Sequence, residues 1–150
     1  MKPLNPAARI PVLRDVALLV ARVALGVILT AHGWQKFNEW TLTGTGQAFE
    51  GMGIPAPGAA AAFVAAAELI GGVALILGLL TPFAALINIV GMLGALVLVH
   101  APEGVFVEDN GYELVLAIFA GLFVLLLCGG GRFSVDRLFS RSVGSARAAQ

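Results

Sequence analysis

The chain has 150 residues, 59% of them apolar and only 12% charged, with a mean hydropathy of +0.92. A soluble domain carries about a quarter charged residues, so the composition excludes an ordinary soluble fold and points to an integral membrane protein. Nine basic residues balance nine acidic ones, which argues against a nucleic-acid partner, and the single cysteine, Cys128, excludes dithiol chemistry within the chain.

Residues 1–12 are read as a cytoplasmic segment. Lys2 and Arg9, with Arg14 just beyond, stand among Pro3, Pro6 and Pro11, which discourage a long helix. A cleaved signal peptide is disfavoured, because the apolar run that follows is long, contains Arg22 and lacks a small-x-small cleavage site. The first span is expected at about 13–33. Arg22, Gly26, Leu29 and Gly33 share one face, and the small residues allow a neighbouring helix to approach the arginine. Trp34, Phe37 and Trp40 then form an aromatic belt at the membrane surface. Residues 38–58 read as an outer loop, with a short interfacial helix over Thr45 to Gly51.

The second span is expected at about 58–80, with Glu68 near its middle and Gly71 and Gly72 on the same face. Thr81-Pro82 reads as a tight turn. The third span follows at about 83–100, carrying a stripe of Ala84, Asn88, Gly91 and Ala95. An acidic loop with Glu103, Glu108 and Asp109 leads to the fourth span, about 111–128. Arg132, Arg137, Arg141 and Arg147 come after it, and 139–150 reads as a disordered cytoplasmic tail. The expected fold is therefore all-α, a four-helix transmembrane bundle over 13–138 built from two hairpins. Both termini lie in the cytoplasm of a cell with an inner membrane, because the basic residues cluster at the two ends. Four spans need about 80 residues, which leaves room for one domain.

Two polar constellations stand out. A carboxylate near the middle of a span costs about 2.5–3.5 kcal/mol to insert, so Glu68 requires a partner. Counting depth from the expected spans places Arg22 level with Glu68, as a midplane pair with Asn88 nearby. That pair reads either as a pin between helices or as a polar site for a small ligand or a proton. His32, Lys36, His100 and Glu113 make an outer polar layer. Histidine and carboxylate are ligand types for zinc or iron, and the same layer suits a quinone ring or a haem. The reading adopted is residues capping helix ends, with no metal. Haem is disfavoured, quinone stays open, and no catalytic residue is assigned.

These residues carry a resemblance. His32-Gly33-Trp34-Gln35-Lys36-Phe37, Glu68-Leu69-Ile70-Gly71-Gly72, Leu77-Gly78-Leu79-Leu80-Thr81, Asn110-Gly111-Tyr112-Glu113 and Gly131-Arg132-Phe133-Ser134-Val135-Asp136 together resemble the DoxX family of small four-helix membrane proteins, over about residues 16–138. The resemblance implies the four-helix membrane fold. It also implies a link to quinone-coupled thiosulfate oxidation, or to soluble antioxidant and sulfur-transfer enzymes as partners. Without a cysteine pair or a soluble catalytic domain, the chain is not expected to be a complete thiosulfate oxidase. Three functional readings stay open: an accessory subunit of a redox membrane assembly, a scaffold whose charges are packing pins, and a small transporter or channel subunit. The last would need a homo-oligomer, because four short helices enclose little space.

Overall fold

A computed structural model describes residues 10–138, and every regular element among them is helical. The expected segments 1–12 and 139–150 lie almost wholly outside the described residues. Along the described residues run α1 (Pro11–Asn38), α2 (Thr41–Gly51), α3 (Pro57–Leu77), α4 (Thr81–Ala95) and α5 (Glu113–Cys128). A widened turn, Leu96–His100, and a tighter one, Ala101–Glu103, carry α4 on toward the acidic loop.

The first helix is longer than expected. It begins at Pro11, where proline's missing N–H costs nothing, and continues through Gly33 to Asn38. Its 28 residues span roughly 42 Å, more than the ~30 Å of a bilayer core. The interfacial helix likewise starts earlier, at Thr41, so most of the expected outer loop is helical. The hairpin between α3 and α4 turns at Gly78–Leu80, whereas Thr81 and Pro82 open α4.

Packing is organised around a seam between α1 and α3. A Cβ at Gly26 would lie 2.7 Å from the Gly72 carbonyl oxygen, and one at Gly72 would lie 2.6 Å from the Thr30 amide nitrogen. At Gly33 a Cβ would collide with the backbone of Leu69. Absence of side chains lets the two backbones meet, so dispersion contacts replace the hydrophobic drive that lipid does not supply. On the other side of α3, Asn88 of α4 donates from Nδ2 to the carbonyls of Ala67 and Ala84, at 3.0 and 2.9 Å. The expected small-residue stripe on α4 is split: Ala84 and Asn88 are buried, whereas nothing lies close to Gly91. Leu29, Leu75, Ala85, Leu122 and Leu125 fill the centre with α5.

The outside is apolar. Ile70 is 69% exposed and Leu127 70%, and Val20, Val27, Val90 and Phe83 are exposed with them. A soluble protein would not leave so continuous an apolar exterior, whereas lipid solvates it. Two stretches, Pro57–Leu77 and Thr81–Glu103, are long and apolar enough to cross a membrane. Helix α5 is apolar but shorter, and α1 carries Arg14, Asp15, Arg22 and Lys36.

Candidate functional site

The partner of Glu68 is Lys36, not Arg22. Lys36 Nζ donates to Glu68 Oε2 at 2.6 Å, with the two residues 8% and 5% exposed. Helix α1 places the lysine and α3 the carboxylate, and the glycine contact of Gly33 on Leu69 brings their helices together one turn away. The ammonium also lies 5.9 Å from the centroid of the Trp40 ring, within the range in which a cation is drawn to an aromatic face. In low dielectric, such a pair holds both charges only while both partners are present.

Arg22 lies at the other end of the seam. It is 1% exposed, and its Nη2 donates to the Phe133 carbonyl at 2.6 Å. Its guanidinium covers Gly78, where any Cβ would overlap it. Gly78 stands about ten residues past Glu68, hence about 15 Å farther along the helix at 1.5 Å per residue. The expected midplane pair fails because the helices meet in another register: Gly26 packs on Gly72 and Gly33 on Leu69, which brings the C-terminal part of α1, with Lys36, beside Glu68 and leaves Arg22 at Gly78. The stripe Arg22, Gly26, Leu29, Gly33 continues at the same spacing to Lys36, and this was the signal in the sequence for the true partner.

Around Arg22 the segment after α5 folds back under the bundle. Gly78 closes α3 with φ +69°, a conformation that glycine adopts freely, and its carbonyl accepts the Asp136 amide at 2.9 Å. The Asp136 carboxylate receives the amides of Leu80 and Thr81, at 2.6 and 2.9 Å. It therefore caps the start of α4, satisfying orphan donors, placing a negative charge at the helix N-terminus and holding Leu80 at φ +48°. Asp15 accepts the Arg132 amide at 3.1 Å. Sequence reading treated Asp136 only as part of a motif; its capping role depends on a contact with residues far along the chain and carries no local signal.

The outer layer does not converge. His32 is exposed and its Nδ1 contacts the Ile28 carbonyl of its own helix at 2.9 Å. His100 Nδ1 contacts the Asn110 carbonyl at 2.6 Å, and Glu113 Oε1 accepts the Val107 amide at 2.8 Å, so both organise the acidic loop. Lys36 is withdrawn into the pair with Glu68. Among the described residues, no three histidine, cysteine or acidic side chains are placed to hold one metal ion. An apolar cleft of about 410 Å³ opens between α3 and α4, bounded by Phe63, Ile70, Ala74, Leu80, Phe83 and Ile87. Another, of about 440 Å³, lies between α2 and the start of α3. Neither is lined by Arg22, Lys36, Glu68 or Asn88.

Comparison with known proteins agrees with this membrane reading. The family model described as DoxX matches residues 17–101. The chain is 33% identical to "Inner membrane protein YqjF" of Escherichia coli over 129 residues, covering 86% of this chain and 96% of that protein. It is 32% identical to "Uncharacterized membrane protein Rv3486" of Mycobacterium tuberculosis over 135 residues, covering 83% and 82%. Similarity to "Putative oxidoreductase CatD" of Bacillus subtilis, 40% over 87 residues, covers 58% of each chain. No solved structure matches. The chain belongs to the DoxX family and is an integral membrane protein.

Proposed function

We propose that the chain is a four-span membrane subunit, with both termini in the cytoplasm, that serves a redox assembly and holds no complete active site of its own. Helices α1, α3, α4 with its continuation, and α5 are the spans, and α2 lies on the outer surface. The observation that carries the accessory reading is that the buried charged and amide side chains turn to partners within the fold: Lys36 to Glu68, Arg22 Nη2 to the Phe133 carbonyl and Asn88 Nδ2 to two backbone carbonyls, while Arg22 Nε and Nη1 and Asn88 Oδ1 have no hydrogen-bond partner. Catalysis requires such groups to face a substrate, and neither cleft described above reaches them. The redox association draws on the relative named a putative oxidoreductase. Quinone, a soluble redox or sulfur-transfer enzyme and further copies of the chain are the partners this role would use.

A scaffold without any redox connection is the second reading, favoured by the glycine-tight seam, which leaves no space between α1 and α3. A transport path through one chain is disfavoured, because the Gly26–Gly72 closure stands between Arg22 and Glu68. The test replaces the chromosomal copy with a deletion and, separately, with a folded Glu68→Gln variant, and compares survival under peroxide and thiol-oxidant stress. The redox reading expects the deletion to sensitise cells. Normal survival of the deletion strain contradicts it and leaves the scaffold.

A further inference from the structure

The two ends of the bundle differ in charge, and the inner end is built to meet lipid headgroups. Three elements contribute to it: the start of α1, the α3–α4 turn, and the segment after α5. Its carboxylates are spent inside the fold, Asp15 on the Arg132 amide and Asp136 on the amides of Leu80 and Thr81. Its guanidiniums on the surface are not. Arg14, Arg132 and Arg137 are exposed, and the Arg132 side chain, although 3.9 Å from Asp15, keeps 60% of its surface free. Exposed apolar side chains stand between them: Ile10, Leu13, Leu80, Phe133 and Leu138. The opposite end has the reverse pattern. Glu39, Glu50, Glu103, Glu108 and Glu113 are exposed there, and its lysine is buried against Glu68.

We propose that the inner end is a binding surface for anionic phospholipid headgroups, with Arg14, Arg132 and Arg137 as the phosphate-facing groups. Arginine presents a planar fork that matches phosphate geometry, and the neighbouring apolar side chains seat in the acyl boundary. Asp15, which is buried, and Asp136, which is half-buried, face backbone amides of the fold and not the surface that would meet the headgroups. Burying Arg22 gives the surface no extra cation, so among the described residues the selectivity rests on the three exposed arginines. The inference rests on the membrane-spanning reading but not on any redox role.

The test is native mass spectrometry of the full chain released from micelles that contain equal amounts of phosphatidylglycerol and phosphatidylcholine. The wild type is expected to retain phosphatidylglycerol preferentially. Replacing all three residues, as R14Q/R132Q/R137Q, is expected to lower that preference about a hundredfold, since each cation near the surface is worth about fivefold. An outer-end variant, E103Q/E108Q, is expected to leave it unchanged. Circular dichroism of each variant establishes that the helices persist. Equal retention of the two lipids by the wild type overturns the proposal, as does an unchanged preference in the folded triple variant or an equal loss in the outer-end variant.

Discussion

The Lys36–Glu68 contact can be tested by a double-mutant cycle. Replacing Lys36 by Met leaves a carboxylate between helices with no cation within hydrogen-bond reach, and replacing Glu68 by Leu leaves the ammonium stranded. With both residues more than nine-tenths buried, each single change is expected to cost about 3–5 kcal/mol. The double variant K36M/E68L removes both charges at once and fills the space with apolar atoms, so it is expected to fall within about 2 kcal/mol of the wild type. The coupling is then several kcal/mol. A second cycle, R22M with E68L, is the control. Arg22 lies about 15 Å farther along the seam, so its effect is expected to add to that of Glu68 within about 0.5 kcal/mol. The assay is unfolding in mixed micelles of dodecylmaltoside with increasing sodium dodecyl sulfate, followed by Trp34 and Trp40 fluorescence. Small, additive effects in the first cycle, or strong coupling in the second, would refute the pairing.

Other consequences follow from the same contacts. Gly33→Leu is expected to separate α1 from α3 and to cost about 3 kcal/mol or more, read in the same unfolding assay, because the new side chain meets the Leu69 backbone and not a flexible end. Asp136→Ala removes the acceptor for two amides at the start of α4 and is expected to cost about 1–2 kcal/mol, with Asp136→Asn recovering part of it. Gly78→Ala combines a positive φ with overlap of Arg22, and is expected to lower the yield of folded protein in detergent more than Gly91→Ala, where space is open. In a Cys128→Ala background, a cysteine at Glu108 is expected to react with an impermeant maleimide in intact cells, and one at Arg137 only after permeabilisation. The reverse pattern would overturn the N-in, C-in topology.

Much of the architecture was legible because the bilayer imposes simple rules. Apolar length marks α3 and the α4 stretch. The face that α1 turns inward was also visible as a stripe at a spacing of three and four. Register was not. Depth counting assumed that α1 stops at Gly33, as a glycine beside aromatic residues suggests, but Gly33 is a contact point and the helix runs on. Lys36 stands fourteen residues past Arg22, about 21 Å along α1, so it is the register of the α1–α3 contact that makes Lys36 the partner of Glu68. The outer layer failed for a different reason. Residues at similar depth were assumed to meet, whereas His32 turns to its own helix and His100 and Glu113 hold loop backbone. The strap formed by Phe133 and Asp136 was invisible because its hydrogen bonds join residues more than 50 positions apart.

The most direct measurement of the proposed role is purification of the tagged chain from its native membrane in a mild detergent, with mass spectrometry of the intact assembly. The redox-subunit account predicts a polypeptide bearing a redox cofactor in fixed stoichiometry with this chain, lost on deletion of the exposed acidic loop Glu103–Asp109 while the helices persist. Recovery of the chain alone, or only with further copies of itself and lipid, contradicts that account.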